Sequence, residues 1–157
     1  MTAEGASATM TYAFLYAFMT MGAFGVVIAL GQRGESLDGY QGLAAQRPGV
    51  ALLMLLFLLS LTGIPPTAGF MAKFVVILSV LRAGHAWLAV LAVVCSVVTA
   101  FVYLRVVVLM YMKEPQEPAP SRFPVAVYAA LAVAALVTMI GGIFPDILAT
   151  WAVAPGF

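Results

Sequence analysis

The chain reads as an all-α membrane protein of four transmembrane helices, the second of them discontinuous. Three observations carry that reading. The 157 residues are 64% hydrophobic and only 8% charged, which excludes an ordinary soluble domain. Four long apolar stretches, about 10–30, 50–81, 86–112 and 123–144, are separated by short polar connections. Within the second stretch stands Gly63-Ile64-Pro65-Pro66, a run that no continuous helix accommodates. The formal charge of +1 provides no basic surface for nucleic acid. A single cysteine, Cys95, lies in an apolar segment and can form neither an internal disulfide nor a thiolate cluster. The one histidine, His85, lacks partners at ligand spacing and reads as an interfacial loop residue, so no metal site is expected.

Residues Met1 to Thr9 carry Glu4 and no Lys or Arg, which argues against a cleaved signal peptide. The first span is expected from about Met10 to Leu30. Ala13, Ala17, Met21 and Gly25 recur every four residues and predict a close-packing stripe. Tyr12 and Tyr16 read as packing and interfacial aromatics rather than ligand contacts. The loop from Gly31 to Pro48 holds Arg33, Glu35, Asp38 and Arg47 among glycine turns, the composition of a solvated connection in which no catalysis is expected.

The second stretch, Val50 to Leu81, is the chemically informative one. Pro65 and Pro66 lack an N–H, so the carbonyls of Leu61 and Thr62 lose their helical partners. Gly63 and Gly69 on either side supply the backbone freedom that the interruption needs. The halves, Val50 to Thr62 and Phe70 to Leu81, would each be about 18 to 20 Å long, roughly half a membrane. Unpaired carbonyls at that depth must face protein or a wet cavity, which predicts a broken helix buried in a bundle. Lys73 then falls in the first turn of the second half, where helix dipole and desolvation both favour the neutral amine. The alternative is that Lys73 snorkels to the surface, but Leu81 is eight positions on, about 12 Å away at helical rise. An intramembrane charge is a functional site by default, and Lys73 there could gain and lose a proton.

Arg82 to His85 form a tight turn into a third span, Ala86 to about Met112. Ser96, Thr99 and Tyr103 share a face of it. That face either borders a wet path beside Lys73 or is a packing stripe with its hydroxyls bonded locally. Arg105 either snorkels to the headgroups or takes part in the path. Lys113 to Arg122, with three prolines, links to a fourth span, Phe123 to Phe144, which Pro145 ends. The tail from Asp146, with Trp151, is expected at the surface. Arg33, Arg47, Lys113 and Arg122 lie in the loops after the first and third spans, against Arg82 after the second, so those two loops are expected in the cytoplasm and both termini outside.

The run Leu59-Ser60-Leu61-Thr62-Gly63-Ile64-Pro65-Pro66-Thr67-Ala68-Gly69-Phe70-Met71-Ala72-Lys73-Phe74 resembles the signature of the antiporter-like membrane subunits of NADH-quinone oxidoreductase, respiratory complex I. The Lys-Phe pair favours the N branch of that family, and Asp38-Gly39-Tyr40-Gln41-Gly42-Leu43 and Tyr103-Leu104-Arg105 are similar to further segments of it. The resemblance covers nearly the whole chain and corresponds to the C-terminal portion of a family member, whose first inverted repeat precedes it. It implies an inverted-repeat bundle in a bacterial inner membrane, a helix break at Gly63 to Gly69, and Lys73 as the buried lysine of a proton pathway. It further implies no cofactor in this chain, with NADH, FMN, iron–sulfur clusters and quinone held by partner subunits. The other membrane-arm subunits, the rest of its own subunit and the lipid bilayer are the implied partners. A subunit of a multisubunit cation/proton antiporter and a non-pumping structural fragment are the alternatives. With one deeply placed ionisable residue, the chain alone is not expected to pump.

Overall fold

A computed structural model describes residues 3–65, 67–116, 118 and 124–143, with side chains from residue 9 onward. Six α-helices follow in order: α1 (Ala3–Leu30), the short α2 (Leu43–Gln46), α3 (Pro48–Thr62), α4 (Ala68–Arg82), α5 (Ala86–Met112) and α6 (Val125–Ile143). Among the described residues there is no strand. Segments of α1, α5 and α6 are long and apolar enough to cross a membrane, whereas α3 and α4 have 15 residues each. At helical rise each of these two is about 22 Å long, short of the roughly 30 Å hydrocarbon core. Pro66, Arg122, Pro145 and the tail with Trp151, on which expectations were placed, lie outside the described residues.

Leu15, Met19, Ala23, Val26 and Leu30 of α1 are buried together with Val50, Met54, Phe57 and Leu58 of α3 and Leu131 and Ala134 of α6. The packing stripe of α1 is therefore not the one expected. Ala13, Ala17 and Met21 face outward, and the close approach is made at Gly22, where an added Cβ would lie 2.3 Å from the Phe57 ring. Where lipid tails are as apolar as the helix surface, shape complementarity of this kind, more than residue size alone, selects the buried face. Gly25 does pack on α6, with Leu131 3.0 Å from the position of its missing Cβ. The first helix also begins at Ala3, ahead of the expected Met10. Most of α5 is exposed along its length, with large apolar side chains outermost, as lipid or a covering helix requires.

The connection from Gly31 to Arg47 corrects a further expectation, because it is folded rather than simply solvated. Two 3₁₀ turns, Gly31–Glu35 and Asp38–Tyr40, precede α2. Arg33 is 8% exposed; its Nε donates to the Gly39 carbonyl, its Nη2 to the Gln41 carbonyl at 3.0 Å and its Nη1 to Gln46 Oε1 at 3.3 Å. Tyr40, also buried, donates to the Gly34 carbonyl at 3.0 Å, and burial pushes its phenol above the ordinary tyrosine range. A buried guanidinium needs this many acceptors, and the turn carbonyls supply them. Gly42 donates to the Leu109 carbonyl at 3.1 Å and its α-carbon abuts Pro115, so the two loops rich in cationic residues meet at one end of the bundle.

The junction of two short helices as candidate functional site

Helix α3 stops where its sequence dictates. Gly63 takes φ +88°, a left-handed conformation that glycine adopts without a Cβ penalty. Its N–H reaches the Ser60 carbonyl at 3.0 Å, and the Ile64 N–H reaches the Leu59 carbonyl at 3.2 Å. That pair of bonds is a Schellman ending, and it satisfies two of the four carbonyls at the end of the helix. The two that remain are those of Leu61 and Thr62, whose helical donors would have come from Pro65 and Pro66.

Lys73 supplies them. Its Nζ donates to the Leu61 carbonyl at 2.8 Å and to the Thr62 carbonyl at 3.0 Å. The backbone accounting at the end of α3 is thereby closed by a side chain from the next helix. Helix α4 begins at Ala68, two residues ahead of the expected Phe70, which puts Lys73 in the second turn rather than the first. The side chain leans back toward the N-terminal end of α4, the direction in which helical side chains point. Its head group therefore meets the negative end of α3, and the dipole it feels there favours the ammonium. This reverses one half of the electrostatic expectation, which had considered only the positive end of α4.

An open cleft of about 350 Å³ borders Lys73. Thr62, Gly63, Phe70 and Phe74 line it from the junction and α4, and Val93, Ser96 and Val97 line it from α5. Of the side chains expected along a path, only Ser96 shares this cleft with Lys73. Thr99, Tyr103 and Arg105 are not in its lining. Thr99 is exposed and donates to the Cys95 carbonyl at 2.7 Å, and Ser96 donates to the Ala92 carbonyl at 2.8 Å, so both hydroxyls are bonded to their own helix. Tyr103 packs against the core, and Arg105 lies exposed on α5. Tyr12 and Tyr16 stack on each other with ring centroids 5.6 Å apart. Gly63 and Gly69 flank the junction, and Pro65 is exposed in the turn between them. Among the described residues, no three His, Cys, Asp or Glu side chains come together as a metal ion would need.

Two residues that sequence reasoning passed over belong to the same junction. Ser60 is wholly buried, and its Oγ accepts from the Gly69 N–H at 3.1 Å while donating to Met19 Sδ at 2.8 Å. Thr67, which stands at the N-cap position of α4, makes no side-chain cap and donates to the Ile64 carbonyl. A serine just before a Gly-Pro-Pro break, with a threonine at the restart, offered two capping hydroxyls; only the tertiary contact decides between them.

The family model described as "NADH:quinone oxidoreductase/Mrp antiporter, TM" matches residues 1–99, and the chain belongs to that family of membrane proteins. Within it, the chain is similar to NADH-quinone oxidoreductase subunit N 1 of Thermodesulfovibrio yellowstonii, 44% identical over 148 residues that cover 94% of this chain and 31% of the relative. Subunit N 2 of Rhizobium meliloti is 45% identical over 145 residues, 90% of this chain and 30% of the relative. Among solved structures, respiratory complex I from Thermus thermophilus with bound aureothin matches with a TM-score of 0.83 at 30% identity, over 96% of this chain and 35% of that one. The Mrp complex from Dietzia sp. DQ12-45-1b matches with a TM-score of 0.82 over 97% of this chain and 37% of that one; at 20% identity it shares the fold alone. The chain thus spans about a third of the length of the relatives it matches.

Proposed function

We propose that this chain is part of a proton-translocating membrane-arm subunit of NADH-quinone oxidoreductase, in which Lys73 relays protons. Partner chains would hold NADH, FMN, iron–sulfur clusters and quinone and carry the electrons. The relatives named subunit N support the complex, and the double hydrogen bond from Lys73 Nζ to the Leu61 and Thr62 carbonyls is the observation that carries the residue assignment. On this reading α3 and α4 form one discontinuous span, the second of four, with its break at Gly63 to Gly69 and the cleft beside it.

The chemistry follows from counting donors. An ammonium has three N–H bonds, of which two are committed to carbonyls and one is left for the cleft. Loss of that third proton leaves an amine whose two N–H bonds still serve both carbonyls, with its lone pair turned to the cleft. Lys73 therefore exchanges a proton without uncapping α3. The negative helix end favours one protonation state and the apolar lining the other, the opposition a relay group needs to be loaded and emptied. Ser96, whose proton is given to Ala92, keeps acceptor capacity facing the same cleft.

Membrane vesicles carrying the complete complex with this chain should acidify on NADH addition, with quinone as acceptor and full collapse by a protonophore. Sodium-dependent exchange with no response to NADH would overturn the assignment in favour of a cation/proton antiporter.

The same reading places the chain in the bacterial inner membrane with both termini outside. The contact of Gly42 with Leu109 and Pro115 supports one shared side for the loops holding Asp38 and Gln116. Single cysteines at Asp38 and Gln116, in a background without the exposed Cys95, should resist an impermeant thiol reagent in intact cells, while one at His85 labels. Labelling of Asp38 from outside would reverse the topology.

A further inference from the structure

We propose that Ser60 is a positioning residue for Lys73: by capping the first turn of α4 from the last turns of α3, it holds the two helices in the register at which the lysine meets the Leu61 and Thr62 carbonyls. The inference rests on the reading of Lys73 as the relay.

Capping at the junction runs both ways. Lys73 of α4 satisfies the last carbonyls of α3, and Ser60 of α3 satisfies the Gly69 N–H in the first turn of α4. Ser60 is 0% exposed, so its oxygen has no solvent to turn to. Most helical serines return their proton to a carbonyl of their own helix, but this one gives it to Met19 Sδ on α1. With the proton so directed, the oxygen lone pairs remain for Gly69.

Gly69 and Lys73 are four residues apart and lie on one face of α4. Whatever fixes Gly69 against Ser60 therefore aims Lys73 at the residues that follow Ser60, which are Leu61 and Thr62. A slip of one residue would turn that face by about 100° and take the ammonium off both carbonyls. The approach is close because Gly69 has no side chain: a Cβ there would lie 1.7 Å from the Ser60 carbonyl oxygen. Thr67, at the N-cap position of α4, makes no side-chain cap, so Ser60 is the hydroxyl that meets the Gly69 N–H.

The test uses the complete complex in membrane vesicles, with NADH oxidation and proton movement measured together for Ser60→Ala, Ser60→Thr, Met19→Leu and Lys73→Ala. Ser60→Ala should reduce on the order of tenfold the share of proton movement per NADH oxidised that is lost in Lys73→Ala, the effect of losing about one buried hydrogen bond that sets register. Ser60→Thr, which keeps the hydroxyl, should recover most of the loss. Met19→Leu conserves volume and removes only the sulfur acceptor, so it should fall in the same direction by a smaller factor. Wild-type pumping in Ser60→Ala beside a deficient Lys73→Ala would overturn the role of Ser60 and leave the relay standing. Wild-type pumping in Lys73→Ala would remove the relay, and this inference with it. Equal impairment of Ser60→Ala and Ser60→Thr would mean that volume rather than the hydroxyl matters, and would also overturn it. Should Ser60→Ala fail to assemble, wild-type pumping in Met19→Leu overturns the proposal.

Discussion

Lys73→Ala in the complete complex is expected to cut proton movement per NADH oxidised to the level contributed by the other subunits, while the complex still reduces quinone. The substitution removes the exchangeable proton and also strips the partly buried Leu61 and Thr62 carbonyls of their donor, at a cost of up to about 1 to 3 kcal/mol each. Assembly must therefore be measured separately, and Lys73→Arg divides the two effects. Guanidinium can still donate to both carbonyls, so assembly should hold, yet it stays protonated at any accessible pH and cannot cycle. Pumping should fail in both variants. Arg105→Lys is the contrasting substitution, on an exposed face of α5 away from the cleft, and should change little. Normal pumping by an assembled Lys73→Ala complex would reduce the junction to a packing feature.

The largest expected structural effect belongs to Gly69→Ala. The new methyl would fall 1.7 Å from the Ser60 carbonyl oxygen, 2.7 Å from its carbonyl carbon and 3.3 Å from Met19 Sδ. Backbone atoms cannot swing aside as a side-chain tip can, so α4 has to move off α3. Overpacking of this kind costs about 1 to 3 kcal/mol and more where backbone must shift. The separation it forces would also break the Ser60 cap. Gly49→Ala is the control, because nothing lies within 4 Å of its Cβ position and alanine suits a helix better. We expect Gly69→Ala to lower both the amount of assembled subunit in membranes and its thermal midpoint in detergent, with Gly49→Ala neutral or slightly stabilising. An unchanged midpoint for Gly69→Ala would show that the junction is looser than its geometry states.

How far the residues announced this structure depended on whether their constraint was covalent or tertiary. Pro65 and Pro66 remove donors by their chemistry alone, so the two orphan carbonyls were legible before any fold was known. That Lys73 answers them was not, although both halves were in view, because the lysine had been weighed against its own helix and not the one before it. The folded loop at Arg33 was hidden for a similar reason. Arg, Glu, Asp and Gly between Gly31 and Pro48 have the composition of a solvated turn, and only the convergence of the Gly39, Gln41 and Gln46 oxygens makes the guanidinium buriable. The stripe on α1 failed because spacing finds small residues, while contact is decided by what stands opposite, as Phe57 does at Gly22. In the sequence Ser60 is one residue of the Leu59 to Phe74 run and nothing more. No periodicity marks a residue whose partners, Met19 and Gly69, lie on two other helices.

The two helices that meet at the junction are not held equally. Burial runs the length of α3, from Val50 and Ala51 through Met54, Phe57 and Leu58 to Leu61, and its entry is fastened by the Arg33 loop and by Gly42 on Leu109. In α4 full burial stops at Ala72, and beyond it the helix leads to an exposed turn at Gly84 around which nothing crowds. Mechanically, α3 is a fixed post and α4 a lever whose fulcrum carries Lys73. A tilt of 10° about that fulcrum would carry Arg82, at the far end of the helix and about 14 Å from the pivot, through about 2 Å, while the lysine would hardly move. Lys73 thus sits where such a tilt would move it least, and Arg82 where it would move most.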